Sequence, residues 1–250
     1  MKAPVVYEII RQQGVEELER PSASLWWSGV AAGIAISTSF YCEAFIHSHL
    51  PDTTWRPLIE NFGYCVGFVI VIIGGFQLFT ELTVTAVLPA LAKPTISNFL
   101  RTGRLWAIVF AANMAGTFFA AVLALVIGQV DPNQLEAALS VSRHFAENGP
   151  LAIFPLGMPA GFFIAALVWI LPTAQGNEFW LIILLTYMIA LGDLTHVVAG
   201  STEVFLLILV GEESIYGGAF GIILPALTGN IIGGTVLFSL IAYAQVREEM

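Results

Sequence analysis

The sequence predicts an all-α membrane protein with six transmembrane crossings, arranged as two inverted repeats of three, in which two crossings are broken helices. The first observation is composition: 57% of the 250 residues are hydrophobic and 11% are charged, whereas soluble proteins carry about 25% charged residues. The second is the spacing of the charged residues, and the third is an internal repeat. With 9 Lys and Arg residues in total, the chain has no basic surface for nucleic acid, so that class of partner is excluded.

Four long uncharged stretches predict continuous spans. A spanning helix needs about 20 apolar residues to cross about 30 Å of hydrocarbon. The stretches that meet this length are residues 21–42, 105–130, 148–177 and 214–246. They predict the first, third, fourth and sixth crossings.

Two further stretches, residues 61–92 and 179–210, are equally apolar but are interrupted by polar residues. A straight helix of either length would be too long for the bilayer. We therefore expect each to enter the membrane, unwind and resume, with the first break around Thr80-Glu81 and the second across residues 192–203. Irregular backbone at this depth occurs only where protein buries it or where it lines a wet cavity. The breaks are where functional residues are expected.

The basic residues predict the orientation. Most of the 9 Lys and Arg residues flank span ends on the side of the two termini, and only Arg56 and Arg143 lie opposite, which places both termini in the cytoplasm of a bacterial-type inner or plasma membrane. Residues 1–22 mix charged and apolar residues without a signal-peptide core. They predict an amphipathic cytoplasmic helix that lies on the membrane or on a neighbouring subunit. The six-span domain would follow over residues 23–246.

Three motifs recur in the same order along the chain. Because an odd number of crossings reverses the chain, two similar sets of three spans, about 23–130 and 148–246, must have opposite orientations. Inverted repeats with broken helices place a substrate path at the repeat interface. The matches are Gly29-x-x-x-Gly33 with Gly157-x-x-x-Gly161, Thr80-Glu81 with Thr202-Glu203, and Asn113-x-x-Gly116 with Asn230-x-x-Gly233.

These segments resemble the formate/nitrite transporter family. The likeness rests on residues 75–80 with 83–85, on residues 192–199 with His196, and on residues 227–234. It implies an aquaporin-like six-span protomer, a homopentamer with one pore per protomer, and passage of small monovalent anions such as formate or nitrite, or of their acids. Gly200 and Gly161 stand where typical members have Asn, and Arg143-His144 replaces a usual Lys. The chain is thus similar to a less characterised branch.

His196 is the only histidine in a predicted span, whereas His47, His49 and His144 are expected in extracytoplasmic loops. A lone histidine in apolar surroundings is often a hydrogen-bonded packing residue, but an ionisable group at this depth is a functional candidate. Imidazole can donate a hydrogen bond or a proton near neutral pH. We expect His196 to hydrogen-bond or protonate an incoming weak-acid anion.

The polar residues near the breaks have several interpretations. Thr80 is expected either to cap the resumed half-helix or to hydrogen-bond the permeant or His196. Glu81 and Glu203 would each begin a half-helix, and the favoured interpretation is that they cap free backbone amides, as would Asp193 near the entrance to the second break. The alternatives are proton-coupled movement, or a path for cations that Glu81 and Glu203 line.

Supporting positions come partly from the residues and partly from the resemblance. Asn113 and Asn230 are expected to hold the unwound loops through their amides, with contact to substrate as the other interpretation. The resemblance implies that Phe68, Leu78 and Ile189 are apolar constrictions. Gly161 and Gly200 would support the broken helices.

Other functional classes fit the sequence less well. No hydrolase or metalloprotease motif such as GxSxG or HExxH occurs, so an enzyme is not expected. Cys42 and Cys65 lack the spacing of a metal cluster, and we expect no cofactor or metal. The competing function is a channel for a neutral solute or a cation built on the same fold.

Overall fold

The computed structural model describes residues 1–249, and every regular element within that range is helical. A 3₁₀ turn (Leu171–Thr173) extends α8, and π-helical turns (Gly217–Ile223 and Ile232–Ser239) flank α11. The helices are α1 (Ala3–Glu19), α2 (Ser22–His49), α3 (Arg56–Ile73), α4 (Leu82–Thr85), α5 (Val87–Ala92), α6 (Ile96–Val130), α7 (Pro132–Ala146), α8 (Pro150–Ile170), α9 (Glu178–Leu191), α10 (Val197–Val210), α11 (Leu224–Ile231) and α12 (Leu240–Arg247).

The helices form the predicted membrane architecture. Five helical segments are long and apolar enough to cross a bilayer: Ser22–His49, Arg56–Ile73, Ile96–Val130, Pro150–Thr173 and Gly217–Arg247. The remaining crossing consists of α9 and α10, which have 14 residues each. The prediction of an all-α membrane fold with two broken helices is confirmed. The second break covers residues 192–196 and not 192–203, because the chain is helical again from Val197.

One helix was not expected from the sequence. Helix α7 occupies the connection between the two repeats, where Asp131 accepts hydrogen bonds from the amides of Asn133 and Gln134. An Asp cap followed by Pro is a standard helix start. His144 therefore lies on α7, and His47 and His49 lie in the last turn of α2. The expectation that these histidines lie in loops was wrong.

Small residues bring equivalent helices together in both repeats. A side chain at Gly33 would collide with the backbone of Asn113, and one at Gly161 would collide with the backbone of Asn230. Small residues allow this close approach of membrane helices. The pairs α2–α6 and α8–α11 thus pack in the same way, which confirms the predicted inverted repeat.

Helix α1 packs on its own chain. Tyr7 and Ile10 are buried in one apolar cluster with Val84 of α4 and Leu88 of α5. Gly14 lies so close to Thr85 that a side chain there would collide with the Thr85 carbonyl. The expected docking on lipid or on a neighbouring subunit is therefore wrong for this face, because α4 and α5 already cover it.

Candidate functional site

The first break is held by Asn113 of α6. Its Oδ1 accepts a hydrogen bond of 2.9 Å from the amide of Phe79, and its Nδ2 donates to the carbonyl oxygens of Gln77 (2.9 Å) and Gly29 (2.8 Å). Asn113 is completely buried. An amide offers both donors and an acceptor, so one side chain satisfies backbone groups that the unwound segment leaves free.

Asn230 of α11 holds the second break in the same manner. Its Oδ1 accepts from the amide of Val197 at 2.9 Å, and its Nδ2 donates to the carbonyls of Thr195 (2.8 Å) and Gly157 (2.9 Å). The two asparagines therefore contact equivalent backbone atoms in the two repeats. By this correspondence, Val197 is the counterpart of Phe79.

The same correspondence extends through both breaks. Gly75 has φ +65° and Asp193 has φ +48°, and each is followed by a residue whose amide reaches back to the preceding helix, Phe76 to Val71 and Leu194 to Ile189, both at 3.0 Å. The matching residues are Gly75 with Asp193, Leu78 with His196, Phe79 with Val197, Thr80 with Val198, and Glu81 with Ala199.

This register corrects one of the sequence matches. Thr80-Glu81 is not equivalent to Thr202-Glu203, because the counterparts of Thr80 and Glu81 are Val198 and Ala199. The repeated dipeptide is a coincidence of sequence. The Thr202 hydroxyl instead lies 2.7 Å from that of Ser37, which joins α10 to α2.

His196 is completely buried where the two breaks meet. Its Nε2 lies 2.7 Å from the Thr80 hydroxyl oxygen, and its Nδ1 accepts a hydrogen bond of 3.2 Å from the Ala199 amide. Since Nδ1 accepts, the proton of a neutral ring lies on Nε2 and is donated to Thr80. The Thr80 hydroxyl proton is then free to be donated elsewhere.

This geometry assigns the cap of α10. His196, and not an acidic residue, caps that helix by accepting from the amide of Ala199, its third residue, while Asn230 accepts from the amide of the first, Val197. The Thr80 hydroxyl bonds the imidazole and caps no backbone amide. The interpretation of Thr80 as an N-cap was therefore wrong in this structure.

Apolar residues enclose the imidazole. Phe68 of α3 packs edge-to-face against the His196 ring, with 5.0 Å between centroids and 75° between planes. Leu78 and Ile189 are buried in the same apolar cluster as Phe68. The polar Thr80–His196 pair is thus set among fully buried apolar side chains.

The two acidic residues near the breaks do not act as caps. Glu81 directly precedes α4 but makes no side-chain cap, and its Oε1 is buried without a hydrogen-bond partner in the described residues. Glu203 lies in the middle of α10, away from its start. The capping interpretation was therefore wrong for both. Asp193 lies in the break itself, where its Oδ1 is 3.2 Å from Nε2 of His144 and the described residues supply no backbone amide to it.

The two unusual glycines occupy tight places. A side chain at Gly200 would overlap the ring of Phe145, and one at Gly161 would overlap the backbone of Asn230. An asparagine at residue 161 would require the helices to separate, whereas one at residue 200 would require the Phe145 ring to move. Backbone packing therefore accounts for the glycine at residue 161.

A cavity of about 460 Å³ opens at the end of the bundle away from α1 and reaches Thr195, next to His196. We call it the acidic cavity, because its lining includes Glu43, Glu60, Glu147, Asp193 and Glu203. Sequence reasoning missed Glu43. The available signal was its place in α2, since a carboxylate near the end of an apolar span is itself a functional indication.

Comparison with known proteins gives the family. The sequence profile described as "Formate/nitrite transporter" matches residues 4–244. The chain belongs to the formate/nitrite transporter family. It is 39% identical over 249 residues to the inner membrane protein YfdC of Escherichia coli strain K12, an alignment that covers 100% of this chain and 80% of YfdC.

Solved structures of this family share the fold. A structure described as an FNT family ion channel superposes with a TM-score of 0.81 at 21% identity, covering 96% of this chain and 98% of that one. A pentameric formate channel with formate bound gives a TM-score of 0.75 at 20% identity, covering 90% and 98%. As a member of the formate/nitrite transporter family, the protein is an integral membrane transport protein and not an enzyme.

Proposed function

We propose that the protein is a homopentameric channel for small monovalent anions, such as formate or nitrite, or for their conjugate acids. Two comparisons support this: the family itself, and the similar pentameric channel that has formate bound. Residues 23–246 would form the transport domain, and residues 1–22 the cytoplasmic helix. The distribution of basic residues favours cytoplasmic termini, which would put the acidic cavity on the extracytoplasmic side.

Large apolar side chains on the outside of the protomer support contact with lipid and with neighbouring subunits. Water-exposed surfaces rarely carry so many such residues together. Examples distributed over four helices are Ile73, Phe119, Leu184 and Ile241.

The observation that carries the proposal is the pair of Thr80 and His196 buried among apolar side chains. Burying an ion without a partner is far more costly than burying a neutral molecule. Hydrated ions would be excluded by the apolar side chains of Phe68, Leu78 and Ile189. Between these side chains, the Thr80 hydroxyl would donate its free proton to an oxygen atom of the permeant. A small acid that is neutral, or nearly so, satisfies both conditions.

The contacts of His196 favour a hydrogen-bonding role over a proton-donating one. In an imidazolium ion both ring nitrogens carry protons. Protonated Nδ1 would then face the Ala199 amide proton, and α10 would lose its cap. A neutral ring keeps this bond and the bond to Thr80. The permeant's proton would therefore come from another group.

The polar scaffold would hold this site in place. Asn113 and Asn230 fix the two breaks, and the small residues Gly161 and Gly200 let the surrounding helices approach them. In this assignment the asparagines stabilise the path without contacting the permeant.

Flux into proteoliposomes tests the proposal. We expect the wild-type protein to pass formate, nitrite or acetate faster than ammonium. His196→Leu, which installs the side chain of the counterpart Leu78, should lower that flux by about tenfold or more, because the Thr80 hydroxyl loses the imidazole that directs its proton toward the permeant, and one hydrogen bond to a charged or polarised group contributes about 1.5–3 kcal/mol. The control is His49→Leu, at an exposed position at the end of α2. Unchanged flux in His196→Leu would contradict the assigned role.

A cation channel is the second candidate, and the acidic cavity favours it. Five of the residues that line this cavity are acidic, and fields of one sign concentrate ions of the opposite sign. Glu203 lines the cavity, whereas Glu81 does not. The cavity therefore supports a cation path past Glu203 but not the predicted continuation past Glu81. Ammonium flux above that of every acid tested would favour this candidate.

A further inference from the structure

The deepest part of the acidic cavity contains two carboxyl groups from different helices. Glu43 lies on α2 and Glu203 on α10, with exposed fractions of 8% and 5%. Both line the cavity, and the helices that carry them pack against each other. The Tyr64 ring, 8% exposed, lines the same cavity. Within residues 1–249, neither carboxyl receives a hydrogen bond or forms a salt bridge.

The cationic groups around the cavity already have other partners. Arg56 lies 3.4 Å from Glu60 and from Asp52, and His47 lies 3.1 Å from Glu60. On the opposite wall, His144 lies 3.2 Å from Asp193 and 3.6 Å from Glu147. Among the residues that line the cavity, every titratable or charged group that faces the pair is therefore acidic, already paired with an acid, or, like Tyr64, neutral.

Two buried carboxylates at short range cannot both remain ionised without a large electrostatic cost. A cation or a proton must offset it. In the described part of the chain, no group of three or more His, Cys, Asp or Glu side chains is arranged to hold a metal ion. A proton requires no such ligand set, and it is the smallest species that neutralises the pair.

We propose that Glu43 and Glu203 form a proton-exchange site that takes the proton from, or returns it to, the permeant acid at the floor of the acidic cavity. This inference rests on the proposed function. When a neutral acid arrives from His196, its O–H bond breaks and the proton forms an O–H bond with a carboxylate of the pair. The electron pair stays on the permeant oxygen, and the resulting anion leaves. Uptake is the same step reversed.

The surroundings of Glu43 and Glu203 favour release of the anion from the cavity to solvent. An anion formed beside the pair is repelled by the carboxylate of the pair that remains ionised, and the open end of the cavity leads it to solvent. Phe68 packs between Tyr64, with ring centroids 5.1 Å apart, and His196, at 5.0 Å. This aromatic pair separates the charged cavity from the neutral site. The acidic cavity thus supplies the proton exchange that the capped ring of His196 does not.

Two measurements on the intact protein test the site. The first is infrared difference spectroscopy across pH, which detects the carbonyl stretch of protonated carboxyl groups without requiring transport. We expect a titrating band in the wild type that is lost in Glu203→Gln and in Glu43→Gln. Glu213→Gln, which removes a half-buried carboxylate beyond the end of α10 and outside the cavity, should keep the band. Glu203→Asp retains a carboxyl group and should keep the band at a shifted frequency. This variant tests the site if a Gln variant fails to fold.

The second measurement is formate flux across pH in proteoliposomes. Wild-type flux should fall as rising pH removes the proton from the pair. The two Gln variants should lose about tenfold or more at low pH, as expected for loss of an acid–base group, and their pH profiles should flatten. A band that is unchanged in both Gln variants, or flux profiles that superimpose on the wild type, would overturn the proposal.

The two proposals can fail separately. A wild-type protein that passes none of the acids contradicts the proposed channel and the exchange step together, whichever way the infrared band behaves. Acid flux that depends on His196 but is independent of both glutamates supports the channel and rejects the proton-exchange site.

Discussion

The first and second breaks have nearly the same backbone and different chemistry. In each, a buried asparagine binds three equivalent backbone groups, and a residue with positive φ begins the turn. At the position where the first break places Leu78, the second places His196. The scaffold is therefore symmetric and the polar site is not. An inverted repeat can preserve its framework while each half supplies a different polar group to the site, Thr80 from the first break and His196 from the second.

The largest effect is expected when either of the two asparagines is replaced. Asn113→Ala and Asn230→Ala each leave three buried backbone groups without partners, at about 1 kcal/mol or more each. We expect each variant to lose about 3 kcal/mol of stability, measured by denaturation in detergent. Both variants should also reduce flux, because Asn113 binds the amide next to Thr80 and Asn230 binds the amide next to His196.

The matched control for the asparagines is Asn98→Ala, whose amide is exposed at the start of α6. It should change stability little. Flux that is unchanged in either Asn113→Ala or Asn230→Ala would contradict the role of that asparagine in holding the Thr80–His196 pair.

A smaller effect concerns the backbone turn. Gly75 has φ +65°, and a side chain there would meet no atom within 4 Å. Gly75→Ala should therefore cost only the conformational strain, about 1 kcal/mol. Asp193→Gly, at the counterpart in the second break, removes that strain and should not destabilise the protein.

Gly103→Ala is the control for the turn. Its added methyl also meets open space, but residue 103 lies inside α6, where alanine is favoured over glycine. The melting temperature should thus fall in Gly75→Ala and rise in Gly103→Ala. A shift in the same direction would reject the argument from φ.

The smallest effect concerns the ends of the two half-helices. Beyond α10, Arg143 donates two hydrogen bonds of 2.7 Å to Glu212, whereas Lys93 at the end of α5 forms no salt bridge within the described residues. The bond from Arg143 lowers the pKa of Glu212. Because the pKa of Glu212 is lower in the folded than in the unfolded protein, the pair stabilises the fold at pH values above the usual pKa of a carboxyl group. This contribution is lost as the pH falls through the lowered pKa.

The expected acid destabilisation is slight, since exposed ion pairs contribute little. Melting temperatures should show a small fall in acid for the wild type that is absent in Glu212→Gln. Glu213→Gln should behave as the wild type. An acid effect that persists unchanged in Glu212→Gln would contradict the assignment to the Arg143–Glu212 pair.

The sequence predicted the framework well because strong physical signals specify it. Long uncharged stretches leave few alternatives to membrane helices, and the spacing of Gly33 and Asn113 against Gly161 and Asn230 reflects direct packing between helices. Helix α7 was missed because its apolar face is short and its polar residues suggested a loop.

The site was predicted less completely. Nothing in the local sequence of Thr80-Glu81 distinguishes a true counterpart from a chance match, since the correspondence depends on which backbone groups each asparagine binds. Glu43 meets Glu203 only because α2 packs beside α10, a contact that residue patterns do not reveal. His196, by contrast, was identified correctly as a buried residue of the second break, because an ionisable residue within an apolar span is rare.

The contact of Gly14 with Thr85 has a practical consequence for anyone preparing the protein. Removing the first nineteen residues would uncover Val84 and Leu88, and apolar surface uncovered next to water promotes aggregation. An affinity tag is therefore better joined at the carboxyl end, or through a flexible spacer ahead of Met1. The amino-terminal segment packs on α4 and α5 and is not a removable extension.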